Sequence, residues 1–201
     1  MGGIFFALVA LALAPVFQAD QKFADYPVHP AASYTVTVQN AGLTIGGQPV
    51  EDLKDQKTYF DTELTPKGFV PIFIVMENQS KEDSFLFDKS AITYGPEDSS
   101  ASTPQVPSKM RDQAALAGLT SLTPVVGGFI VMSKVNHASH IQANLLKKEL
   151  QSTTLSPASS THGFLYIPVP KNGSRQKIRI RIPVTRMGAQ KSEPLVLDLV
   201  F

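Results

Sequence analysis

The chain contains no cysteine and no tryptophan. Without cysteine there are no disulfides, no thiolate catalysis, no Cys-ligated zinc, no iron–sulfur cluster and no lipidation of an N-terminal Cys. Charge of one sign is also lacking. Eighteen Lys and Arg meet 17 Asp and Glu, a net charge of +1. A balance so close to zero gives no general attraction to nucleic acid or to an acidic membrane surface. Long apolar runs are missing too. The most apolar stretch, residues 4–17 (IFFALVALALAPVF), has 14 residues, against the about 20 that a helix needs to cross a bilayer.

What is present is a 201-residue chain, 43% hydrophobic, with 15 Pro and 13 Gly. Residues 1–19 read as a signal peptide or a retained membrane anchor. The length suits the apolar core of a signal peptide, and a polar turn follows at Gln18 and Asp20. No Lys or Arg precedes the run, and Pro15 follows the small pair Ala12 and Ala14. Cleavage is the favoured reading and retention the alternative. Either exports the remaining roughly 180 residues, enough for one domain with a sizeable core.

Residues 20–32, rich in Pro and Ala, read as a linker, and residues 33–201 as one β-rich domain. Residues 33–39 alternate β-branched and polar side chains, the pattern of a half-buried strand. Residues 43–47 read as a short strand ending in a Gly46-Gly47 turn. Residues 69–78 are almost continuously apolar, which predicts a central strand covered on both faces. Short strands are expected at 84–87 and 91–94, and an exposed Pro/Ser loop at 95–108. A helical insertion is expected over about 111–151, its last helix over 136–151 with Ile141, Leu145, Leu146 and Leu150 on one side. Lys147 and Lys148 near its end suit its dipole. Residues 163–169 and 175–183 read as strands joined by a turn at Asn172-Gly173, and residues 195–201 as the last strand. The sum is seven to nine strands with one helical insertion, the pattern of an antiparallel β-sandwich, Ig-like in the broad sense.

The run FVPIFIVMENQS (69–80), followed by FLFD (85–88) and later GFLYIP (163–168), resembles a loose group of bacterial exported proteins with Ig-like sandwiches. The resemblance covers about half of the domain and is structural. It implies a fold and an extracytoplasmic location, and no activity.

Candidate sites are few. His137 and His140 share a helix face at i, i+3, the one metal-like spacing in the chain. A zinc site needs further ligands, and nothing in the sequence brings His29 or His162 there. A polar helix start is the preferred reading. Lys177, Arg179 and Arg181 alternate with isoleucines, giving a strand one basic and one apolar face; Arg175 and Arg186 extend the stripe. It suits an acidic partner or lipid phosphates, or else a solvated sheet face paired with carboxylates on the next strand. The carboxylate pairs Glu51/Asp52 and Glu82/Asp83 read as solvated turns rather than glycosidase pairs. Gly46-Gly47 and Gly127-Gly128 lack the Lys and spacing of a phosphate loop, and no Gly-x-Ser-x-Gly occurs. The sequons at Asn78 and Asn172 read as turn chemistry. The apolar stretch around Pro124, Val125, Val126, Phe129, Ile130 and Met132 reads as core filling or as a partner surface.

These features point to a non-enzymatic exported β-sandwich that works by binding, with no cofactor and no nucleic acid. Its expected partner is an integral membrane protein complex (respiratory or photosynthetic, for example), served as an accessory subunit on the periplasmic face. Residues 4–17 would touch the membrane. The other readings are a soluble periplasmic enzyme or ligand-binding protein, and a surface adhesin or filament component.

Overall fold

The computed structural model describes residues 23–96, 140–168, 177–188 and 192–201. The apolar segment 4–17, the loop and insertion over 97–139 and the turn at 172–173 lie outside the described residues. So do the candidate residues His137, Pro124, Val125, Val126, Phe129, Ile130 and Met132.

The described chain is mainly β, with two antiparallel sheets and two helices. The first sheet has the order β1-β2-β3-β7: β1 is Val36–Asn40, β2 Leu43–Pro49, β3 Phe69–Asn78 and β7 Ser160–Pro168. The second is centred on β8 (Ile178–Met187). On one edge of β8 runs β9 (Ser192–Val200). Along the other edge β5 (Thr93–Pro96) and β4 (Ser84–Phe87) lie end to end, and β6 (Thr153–Leu155) adds to β4.

β3 occupies the residues its apolar run predicts, and the strand period sorts its side chains between two cores. Ile72, Ile74 and Met76 face the second sheet and meet Phe85, Phe87, Ile180, Ile182, Leu197 and Leu199. Phe73 and Val75 face the other way, into a second core with Phe164, Tyr166, Phe60, Leu64 and Leu145. The register places Ile72 beside Leu165 and Phe73 beside Phe164, so β7 repeats the same division.

The second core is roofed by α1 (Leu53–Phe60), by α2 (140–148) and by the N-terminal stretch with a 3-10 turn at Ala31–Ser33. α1 has no apolar stripe for a sequence reading to find; only Gln56 and Phe60 of it are buried. It is fixed by its ends. Asp52 caps it, accepting from the N–H groups of Lys54 (2.7 Å) and Asp55 (3.2 Å). Asp61 closes it in the left-handed region at φ 55°. α2 is the described part of the expected insertion helix and turns Ile141 and Leu145 to the core.

Three expectations change. Residues 23–32 are not a free linker: Ala31 is fully buried and Tyr26 packs on the second core. Their Pro/Ala composition hides this, because a chain that docks on its neighbours needs no regular strand or helix. Gly46-Gly47 is not a turn, since β2 continues to Pro49. A Cβ on Gly46 would lie 1.9 Å from the Ala31 carbonyl oxygen, and one on Gly47 2.9 Å from the Phe201 ring. The pair lets other segments touch both faces of β2. Finally, β8 does not end at Pro183. The bonds between Ile178 and Phe201 mean that the even residues of β8 bond to β9, so odd Pro183 faces the opposite edge. There it falls between residues 178–181, which pair with β5, and 184–187, which pair with β4. Its missing N–H leaves no ladder bond unmade.

Candidate functional site

The basic strand is built by β8, but its charges are largely used within the fold. Arg181 stands opposite Asp198 of β9, with Nε 3.1 Å from Oδ1 and Nη2 3.4 Å from Oδ2. The bond to Asp198 raises its pKa further. Arg186 does not extend the stripe. It lies in register with inward-facing Phe85 and donates to Oδ2 of largely buried Asp83 at 2.8 Å from Nε and 2.6 Å from Nη2. Lys177 and Arg179 are engaged as well. For Arg181 this is the pairing with a carboxylate on the next strand that a solvated sheet face calls for.

The other sequence candidates fall apart in space or into structural roles. His140 opens the described part of α2, His162 is exposed beside the Phe73 ring (5.8 Å), and His29 lies by Tyr34. No group of three or more potential metal ligands forms among the described residues. Asp52 is a helix cap, and Asp83 is tied to Arg186. Asn78 is buried: its Nδ2 donates to the carbonyls of Asp83 (2.8 Å) and Leu155 (3.1 Å), and its Oδ1 accepts from the Ser80 N–H (2.9 Å). That amide joins the β3 turn to β6 and has no free face for a sugar.

Beside β8 the outer face of the second sheet changes character. Leu86 and Thr185 pair across the sheet, as do Thr185 and Pro194, and Pro183 and Val196. Leu86 is 44% exposed and Val196 54%. Two large aliphatic side chains thus stand out from a face whose other end carries the Arg181–Asp198 pair.

On the helical side the sequence reading missed a polar junction. Lys148 does not serve its own helix end. Its Nζ donates to the carbonyls of Tyr59 and Ala24, both at 2.5 Å, and sits about 6 Å from the Tyr59 and Phe60 rings. Asn144, one turn earlier, donates to the same Tyr59 carbonyl at 2.9 Å. These donors meet the last carbonyls of α1, where the helix dipole favours a cation. Burial holds the Lys148 pKa below its ordinary value. The available signal was spacing: residues 141, 144, 145 and 148 form one inward row of α2. Tyr26 closes the junction, its ring 4.8 Å from Tyr59, 4.6 Å from Phe73 and 5.2 Å from Phe164. Its hydroxyl accepts from Gln48 Nε2 at 2.6 Å, and burial pushes its pKa up.

An open cleft of about 250 Å³ lies at the C-terminal end of α1, lined by Lys57, Thr62, Glu63, Pro66 and Lys67. Lys67 Nζ donates to Thr62 Oγ1 there. The outward carbonyls at this helix end oppose an anion between the two lysines. Among the described residues, no helix is long and apolar enough to cross a membrane.

The fold therefore defines a mainly β protein of two antiparallel sheets roofed on one side by helices. No known family model matches the chain, and neither a curated protein nor a solved structure is significantly similar to it.

Proposed function

We propose that this chain is a non-enzymatic, extracytoplasmic binding protein with an Ig-like sandwich, acting as an accessory subunit on the periplasmic face of a membrane protein complex. The observation that carries it is the outer face of the second sheet. There Leu86 and Val196 stand exposed on the strands that flank β8, and exposed aliphatic groups grouped on one face suit a protein partner. The apolar segment 4–17 supports the location. The use of Asp52, Asp83, Glu149 and Asp198 as caps and ion-pair partners supports binding over acid–base chemistry.

The test is made on native membranes after a high-salt wash, with a photo-crosslinking residue at Val196. The expected result is an intact mass near 21.8 kDa in the washed membranes, with crosslinks from Val196 to an integral membrane protein. A soluble product about 2 kDa lighter, the loss expected for a removed signal segment, refutes the accessory-subunit reading.

A further inference from the structure

The N-terminal stretch docks at a defined place. Ala24 gives its carbonyl to Lys148, and two residues later Tyr26 inserts its ring between Tyr59, Phe73 and Phe164. Both contacts lie on the helical side of the first sheet. The apolar run ends at Phe17, seven residues before Ala24. Fully extended, those steps span at most about 25 Å.

The route to the opposite surface is longer than that. A helix layer and two sheets stack at about 10 Å spacings, so the outer face of the second sheet lies roughly 25 Å from Ala24 straight through the molecule. A tether must instead pass around an edge, which is longer still. We infer, on the reading that residues 4–17 are retained as an anchor, that the helical face is held against a lipid bilayer and the outer face of the second sheet looks away from it, so the partner proposed above reaches Val196 with a part that projects from the membrane.

The chemistry of the helical face suits a phospholipid surface. Val28, Leu53 and Leu146 project 49, 40 and 39% exposed, one from each covering segment. Exposed Lys54, Lys57 and Lys147 stand among them. Such side chains lay their stems on the interface and place their ammonium groups at the phosphates. Exposed Asp25, Glu51, Asp52 and Asp55 lie on or beside the same segments and balance these lysines, so the tether does the holding and the apolar side chains do the orienting.

The chain lacks cysteine, so one introduced cysteine carries a unique label. Full-length Leu146→Cys, Leu53→Cys, Leu86→Cys and Val196→Cys variants, all at exposed positions, are labelled with a fluorophore. Each is reconstituted into phosphatidylcholine/phosphatidylglycerol vesicles bearing a headgroup spin-label quencher. The expected result is quenching several-fold stronger at positions 146 and 53 than at 86 and 196. Equal quenching, or stronger quenching at 196, overturns the orientation while leaving the anchor in place. A protein that fails to float with the vesicles overturns the anchored reading and the orientation with it.

Discussion

Gln56 is the one fully buried polar side chain of α1, and all four of its hydrogen bonds are made. Its Nε2 donates to the Val50 carbonyl and to Thr65 Oγ1, both at 2.7 Å. Its Oε1 accepts from the N–H groups of Leu64 (2.7 Å) and Thr65 (3.0 Å). This single amide joins the end of β2, α1 and the turn that leads into β3. Gln56→Leu keeps the volume and removes every bond. Thr65 is exposed and finds water, but the Val50 carbonyl and Leu64 N–H stay buried and unpaired. Each costs about 1–3 kcal/mol, and the added apolar burial returns up to about 2 kcal/mol. The expected net loss is about 3 kcal/mol. With a urea slope of roughly 2 kcal/mol/M for a chain of this size, the midpoint falls by about 1.5 M. Far-UV circular dichroism reads the transition. Gln56→Glu adds a sign test. Its carboxylate still accepts from Leu64 and Thr65 but faces the Val50 carbonyl, so its folded pKa lies above its unfolded one. Its stability is then greatest below the unfolded value of about 4.3 and is lost as pH rises through the folded pKa. A Gln56→Leu midpoint equal to wild type, or a Gln56→Glu variant more stable at pH 7 than at pH 4, would refute the bonding scheme.

Two further outcomes are expected. Gly163→Ala places a Cβ 2.5 Å from both the Cα and the N of Leu150; backbone cannot rotate aside, so the 149–150 segment lifts from β7 and the bond from Leu150 N–H to the Phe164 carbonyl (3.0 Å) opens. A loss of about 2 kcal/mol, hence a Tm lower by about 4–8 °C, is expected, together with faster amide exchange at Leu150; an unchanged Tm would contradict the close approach. Burial raises the hydroxyl pKa of Tyr26, Tyr94 and, most of all, Tyr166, which donates to the Leu145 carbonyl at 3.0 Å. The unfolded chain loses these protons first, so stability is full below the ordinary value of 10.0 and falls as pH rises above it. Lys148, with its pKa lowered, works in the opposite direction near the same pH. Tyr166→Phe removes the most strongly raised of these groups and flattens the alkaline decline; an equally steep decline in that variant would count against the assignment.

How much of this fold is legible in the sequence depends on how each segment is stabilised. β3 is read to the residue because burial on both faces leaves an uninterrupted apolar run, and its short length and β-branched and aromatic residues mark it as a strand. α1 was not seen and residues 23–32 were read as a linker, because their stability comes from caps, from one buried amide and from docked rings rather than from periodic burial. The glycines of β2 imitate a turn because glycine serves turns and close backbone approach alike. Pro183 ended a strand on paper, since its harmlessness depends on two other strands meeting opposite it. The basic stripe was half legible. Its alternation gave the facing of Arg181 correctly, but Asp198 as partner follows from a register that only the folded sheet fixes. Lys148 was seen and assigned to the wrong helix, because its acceptors lie about 90 and 120 residues away in the chain.

Gly46 receives Ala31 on the helical face of the first sheet, and Gly163 receives Leu150 on the face toward the second sheet, each as backbone against backbone. The first sheet is therefore indexed from both faces, like a board held by one dowel on each side, and the segments that cross it cannot slide along it. Insertions or deletions between the two pegged segments and their nearest strands would shift a peg off its hole. Variation among descendants of this chain should spare the spacing around the two pegs.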